Sequence, residues 1–315
     1  MDLSAINPIL LLASLIAAAT PILLAAIGEL VVEKAGVLNL GVEGMMITGA
    51  ICGFVVSVNT GSAVFGFAAA AAGGAALALI FGVWTQLLLS NQVATGLALT
   101  LFGLGLSSLF GQGYLGLRAP GLAPLYLPGL RDIPVFGPIL FQQDAVVYLG
   151  IAICAGVWAF LRYSRAGLVM RAVGENHDAA HALGYKVIRV RMLAILFGGA
   201  CAGVGGAYLS IVRVPQWTDG VTAGAGWIAL AIVVFASWRP GRLLVGAYLF
   251  GGVGALQLNL QAARVPIPAE LLSMAPYLIT IISLVILSAG RNRAWRGGAA
   301  GSAPAALGQI FHASR

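Results

Sequence analysis

Residues 44–117 read GMMITGAICGFVVSVNTGSAVFGFAAAAAGGAALALIFGVWTQLLLSNQVATGLALTLFGLGLSSLFGQGYLGL and contain no Asp, Glu, Lys, Arg or His. At about 20 residues per crossing, such a run holds about three membrane spans. The rest of the chain has the same character, with 60% of its residues hydrophobic and 9% charged. Soluble domains carry about 25% charged residues. A soluble protein of this length has no interior large enough for so much apolar surface, so the surplus faces lipid. The short polar–apolar alternation of a membrane β-barrel is absent. The fold class expected is all-α, a polytopic membrane helical bundle.

Apolar runs bounded by charges, prolines or turn residues give about nine spans, near 9–28, 38–57, 64–89, 93–111, 145–161, 192–212, 221–238, 243–260 and 271–289. The first is read as a retained span: Asp2 is the only charge before Glu29, so the basic region that opens a signal peptide is missing. Basic residues set the orientation. If the loop 162–191 is cytoplasmic, so are Lys34, Arg239, Arg242 and the tail from Arg291. Thirteen cations then lie inside, and only Arg118, Arg131, Arg213 and Arg264 lie outside. The amino terminus is external, the carboxy terminus cytoplasmic, and the span count odd. The net charge of +7 thereby reports orientation, and no nucleic-acid partner is implied. A single membrane domain, 1–290, is expected to carry a Gly/Pro-rich external loop at 112–143. The tail 291–315 has linker-like composition and is expected to be disordered.

The 43 glycines recur at helix-contact spacing, as in Gly199-x-x-x-Gly203, and small residues let membrane helices approach closely. The three cysteines, Cys52, Cys154 and Cys201, sit in apolar runs without ligand spacing and read as packing residues. The stretch GVLNLGVEGMM, 36–46, is different. It sets Asn39, Glu43 and three glycines where a continuous membrane helix would favour none. Asn39 is placed to cap a helix restarting after Gly36, so the second span is expected to be interrupted. Broken helices of this kind are tolerated where they are buried in protein or line a cavity. Glu43 is expected to face its own first-turn amides or Lys34, in a hinge or gate at the inner end.

The loop SRAGLVMRAVGENHDAAHALGYKVIRVR, 164–191, contains a second capped element. Asn176 is a plausible N-cap, Asp178 suits the first turn and Gly184 suits the C′ stop. The two turns between, His177 to Leu183, are expected to expose Ala179, Ala180, Ala182 and Leu183. A helix this short is unstable alone, so it is read as docking into a partner. A rival reading takes His177 and His181, at i and i+4, as metal ligands. The zinc-protease motif needs Glu directly after the first His, where this chain has Asp178, so no metal site and no catalytic residues are expected. There is also no Gly-Lys-Ser/Thr phosphate loop; ATP-derived energy would have to come from another subunit. An ion-coupled carrier would need buried ionisable groups at mid-membrane, and Glu43 alone is on offer.

GELVVEKAGVLNLGVEGMMITGA (28–50), NQVATGLAL (91–99) and AVGENHDAAHALGYKV (172–187) together resemble the permease subunits of bacterial ABC importers. Within these, the chain is most similar to the nucleoside (guanosine-type) branch of the branched-chain amino acid/ribose permease superfamily. The resemblance runs from about residue 8 to 290. It implies an importer working by alternating access in the bacterial cytoplasmic membrane. It implies a second homologous permease, two cytoplasmic ATPase subunits that use ATP and Mg, and an extracytoplasmic substrate-binding protein. The chain itself would be no enzyme and bind no cofactor. The loop would hold the coupling helix that seats in the ATPase, at Gly174, Glu175, Asn176, Ala179, Ala180 and Gly184. A nucleoside pathway needs hydroxyl and amide groups, for which Asn39, Glu43, Asn91, Gln92, Thr95 and Thr100 are the candidates; bonding between helices explains them equally well. Relatives often carry Asn at the position of Thr100, which leaves the ligand open among nucleosides, simple sugars and branched-chain amino acids.

Overall fold

A computed structural model describes residues 8–125, 133–134, 136–262 and 303–312, with a few single positions between 268 and 285. Eleven α-helices are described: α1 Pro8–Lys34, α2 Val42–Thr60, α3 Ala63–Gly82, α4 Gln92–Gly111, α5 Phe136–Leu140, α6 Ala145–Tyr163, α7 Arg165–Glu175, α8 His177–Ala182, α9 Val187–Ala207, α10 Ala225–Phe235 and α11 Pro240–Ala262. Seven are long and apolar enough to cross a membrane: α1, α2, α3, α4, α6, α9 and α11. They match seven of the expected spans. The eighth match is partial, and the span expected at 271–289 lies outside the described residues apart from single positions. No strand occurs among the described residues beyond isolated bridges pairing Leu115 with Trp217 and Arg118 with Gln216.

Two of the expected spans change. The first span continues to Lys34, past Glu29 and Glu33, because both carboxylates find donors inside the bundle: Asn39 for Glu29, and the Trp238 indole for Glu33. The expected span 221–238 is a half-span. Its helix, α10, has 11 residues, about 16 Å at 1.5 Å per residue against a hydrocarbon core of about 30 Å. Its N-terminus is buried in the bundle, at Thr222, Ala225 and Gly226, where its free amides need acceptors.

The core is a glycine seam. α9 runs between α1, α2 and α3, and a Cβ on Gly203 would lie 2.2 Å from the Ala70 carbonyl oxygen. On Gly206 it would lie 1.9 Å from the Met46 oxygen, and on Gly28 2.8 Å from the Cys201 Cβ. Backbones thus meet with no side chain between them, the close packing that substitutes for a hydrophobic driving force in lipid. α4 shows the opposite logic across its two faces. Gln92, Thr95, Gly96, Leu99, Thr100, Gly103 and Ser107 are buried towards α2, while Leu97, Leu101, Phe102, Leu109 and Phe110 are exposed. A stripe at helical period thus separates polar and small residues from a face fit for lipid.

One end of the bundle is basic. Lys34, Arg162, Arg171, Arg239 and Arg242 line a single pocket of about 910 Å³ there, together with Glu175. Arg118 and Arg213 lie at the opposite end, beside Gln216 and the end of α9. There Asp144 caps α6, accepting from the amides of Val146 and Val147 at 3.0 and 3.1 Å.

Candidate functional site

The basic end is organised around the connector 35–41, which turns back along α1 instead of leaving the bundle. Gly36 makes the turn at φ +83°, a conformation open to glycine. Several polar groups of the returning segment meet partners on the helices around it. The Leu38 amide donates to Gln92 Oε1 at 2.8 Å. The Asn39 amide and Nδ2 donate to the Glu29 carboxylate, both at 3.3 Å. The Leu40 carbonyl accepts from Thr100 Oγ1 at 3.2 Å. Non-helical backbone at membrane depth is stable when satisfied in this way.

Asn39 does not cap α2 as expected. Its Oδ1 accepts from the Gly41 amide at 2.9 Å, closing a turn, and Gly41 is the N-cap. The break falls before α2, so that helix itself is continuous. Glu43 faces neither its own amides nor Lys34. Its carboxylate accepts from the Gly224 amide at 3.0 Å, the Gly226 amide at 2.7 Å and the Thr222 hydroxyl. It thus caps the half-span α10 across the bundle, supplying acceptors and negative charge where a helix N-terminus favours both. Gly226 permits the approach, since a Cβ there would lie 2.6 Å from the Glu43 Cα.

Among the other pathway candidates, Asn91 is exposed and caps α4, accepting from the Ala94 amide at 3.0 Å. Thr95 shares a hydrogen bond with Ser90 at 2.9 Å. Asn39, Gln92 and Thr100 converge on the connector, and Glu43 sits one turn beyond it; Asn91 and Thr95 stand apart.

The segment 174–184 follows its sequence signals closely. Asn176 caps α8, accepting from the Ala179 amide at 2.9 Å. Gly184 ends the turn at φ +87°, and the Tyr185 amide returns to the Ala180 carbonyl at 3.1 Å. Gly174 touches the end of α1, where a Cβ would lie 2.2 Å from the Lys34 carbonyl oxygen. Glu175 and Ala179 are exposed, as are Ala182 and Leu183. Ala180 is the exception, at 2% exposure. It packs with Val173, Val187 and Phe311, because the far end of the chain covers the inner face of α8. The tail expected to be disordered is therefore ordered over 303–312, held by backbone bonds to Gly174 and Gly36.

Arg191 reads in the sequence only as an inside charge, yet it is 0% exposed. Its guanidinium donates to the Ala35 carbonyl at 3.3 Å, Gln86 Oε1 at 3.4 Å and the Gln309 carbonyl at 3.0 Å, and meets His177 Nδ1 at 3.3 Å. A widened last turn of α3, in which the Leu88 amide reaches back to Val83 at 3.1 Å, carries Gln86 to this position. The sequence carries a signal for this: Arg191 falls on the helical face shared by Val187, Ala194, Ile195 and Gly198, all buried. Burial, then the Arg191 guanidinium, holds the His177 imidazole below the ordinary histidine range. Among the described residues no group of three His, Cys, Asp or Glu side chains is placed to hold a metal ion. His177 and His181 instead face the Phe311 ring, at centroid distances of 5.4 and 5.3 Å.

The sequence profile of the branched-chain amino acid transport system permease component matches residues 11–286. The chain belongs to that permease family. It is 44% identical to a putative glucose ABC transporter permease protein, TsgC13, of Haloferax volcanii, over 80% of this chain and 78% of that one. It is 32% identical to the guanosine ABC transporter permease protein NupQ of Bacillus subtilis, over 90% and 93% of the two chains. It is 30% identical to the nucleoside ABC transporter permease protein NupC of Lactococcus lactis, over 88% and 92%. No solved structure matches the chain. Family and seven apolar helices together make this permease a multi-pass membrane protein.

Proposed function

We propose that this permease forms the translocation pathway of an ATP-driven importer for nucleosides, working by alternating access. The observation that carries the reading is α8. It is a capped two-turn helix beyond the ends of the spans, and it leaves Ala179, Ala182 and Leu183 open to a partner. That partner is an ATPase subunit on the cytoplasmic side, using ATP and Mg. The basic pocket at the same end agrees with a cytoplasmic position. An extracytoplasmic binding protein delivers substrate at the opposite end, and a second homologous permease completes the pathway. The membrane is the bacterial cytoplasmic membrane. A closing of the ATPase pushes α8. Gly174 and Arg191 pass the push to the connector 35–41, and the connector leads to Glu43 and the buried N-terminus of α10. Half-helices that begin within the bilayer recur at transport pathways.

The name of the 44% identical relative favours a second reading, in which the cargo is glucose. Both cargoes are polyhydroxylated and uncharged. The test is uptake into vesicles holding this permease, its partner permease, the ATPase and the binding protein, with labelled guanosine and labelled glucose in separate arms. ATP-dependent accumulation of guanosine is expected. Accumulation of glucose alone would move the chain to the sugar branch. Uptake driven by a proton gradient without the ATPase would overturn the importer reading.

A further inference from the structure

The tail segment 303–312 crosses the basic end of the bundle and ties four elements to each other. The Ala306 amide donates to the Gly174 carbonyl at 3.0 Å, at the end of α7. The Gly308 amide donates to the Gly36 carbonyl at 3.2 Å, in the connector. The Gln309 carbonyl accepts from Arg191 of α9 at 3.0 Å and from Gln92 of α4 at 3.5 Å. Ala306 and Phe311 are 3% and 5% exposed, a degree of burial that an unattached tail would not reach.

Phe311 has the most specific place. Its ring lies between His177 and His181, edge-on to both, and against Val173, Ala180 and Val187. α8 has six residues, of which His177 and Ala180 are the buried pair. A helix of that length has no stability of its own. His177 meets the Phe311 ring and Ala180 shares its buried cluster, so the tail is the wall against which α8 is seated.

We propose that residues 303–312 are a strap that positions the coupling helix, with Phe311 as its positioning residue. The strap makes α8, the connector and the start of α4 one mechanical unit. Force on the exposed face of α8 then reaches Gly36 and Leu38 without being lost in loop motion. The proposal rests on the reading of α8 as the ATPase-docking element, and its test separates the two.

A nitroxide label on Ala182→Cys, in the full-length permease without its ATPase, reports the mobility of α8 by electron paramagnetic resonance. Unlabelled permease, assembled with its partners in vesicles, gives substrate moved per ATP hydrolysed. Phe311→Ala, and a chain ending at Ser302, are expected to raise label mobility and to lower transport per ATP at least fivefold. Phe311→Trp is expected to restore both by keeping a ring between the histidines. Unchanged mobility in Phe311→Ala overturns the strap whatever the transport result. Increased mobility with unchanged transport per ATP shows that seating α8 is not what couples it, and also overturns the proposal. A rise in transport would make the segment an inhibitory plug, again against it. An unsubstituted assembly with no ATP-driven uptake would fail the function reading alone, since the mobility arm still decides the strap.

Discussion

Glu43→Gln is the sharpest perturbation of the buried α10 terminus. The carboxylate takes three donors, the Thr222 hydroxyl and the amides of Gly224 and Gly226. The amide side chain keeps one acceptor oxygen. If that oxygen serves Thr222 and Gly224, its NH2 group faces the Gly226 amide, donor against donor. The loss includes a hydrogen bond to a charged group, about 1.5–3 kcal/mol, and an unpaired buried donor, about 1–3 kcal/mol. A negative charge at a partly buried helix N-terminus adds up to about 2 kcal/mol. These contributions overlap, so the expected cost is about 3–4 kcal/mol. At 1.4 kcal/mol per decade, that is about two to three decades in the equilibrium between seated and displaced α10. The assay is labelling of Ala229→Cys, a position 0% exposed on α10, by a maleimide in the assembled complex, together with the thermal midpoint in detergent. Labelling at least tenfold faster and a midpoint lower by several degrees are expected. Thr222→Val, which removes one donor, serves as the mild comparison, at about 1 kcal/mol. Equal labelling rates and midpoints for Glu43→Gln and the unsubstituted chain would refute the capping role.

Gly203→Ala places a methyl group 2.2 Å from the Ala70 carbonyl oxygen, so α3 and α9 must separate. A loss above the usual 1–3 kcal/mol of overpacking is expected, read as failure to purify as a single species. Gly105→Ala, with open space around it, should be neutral to slightly stabilising. Leu183→Asp alters a side chain 77% exposed at the open end of α8. It should leave the thermal midpoint unchanged while releasing the ATPase in pull-down, whereas Ala180→Arg should disturb both because Ala180 is buried. Low pH should loosen the strap. The folded His177 has a lowered pKa from burial and from Arg191, with Asp178 opposing at 3.5 Å. Its contribution is present above the unfolded value of about 6.5 and is lost as pH falls through the lowered folded value. Proteolytic release of the tail should therefore be faster at about pH 5 than at about pH 8, and equal rates would count against a buried neutral imidazole.

What sequence alone determined follows from rules that act locally or through composition. An apolar run must face lipid, and so seven of the expected spans stand as helices α1, α2, α3, α4, α6, α9 and α11. Capping obeys short-range geometry, so Asn176 and Gly184 bounded α8 to within a residue. The family motifs at 28–50, 91–99 and 172–187 led to the permease family for the same reason: they are contiguous in the chain. Tertiary structure alone decided what depends on groups far apart in sequence. Glu43 meets Thr222, Gly224 and Gly226 only because α2 and α10 are neighbours. Arg191 is buried because Ala35, Gln86 and Gln309 converge on it from three other segments. Ala180 is covered because Phe311 returns from the far end of the chain. A buried polar group is stable only when its partners are in place, and nothing local in a sequence states which distant residues those partners are.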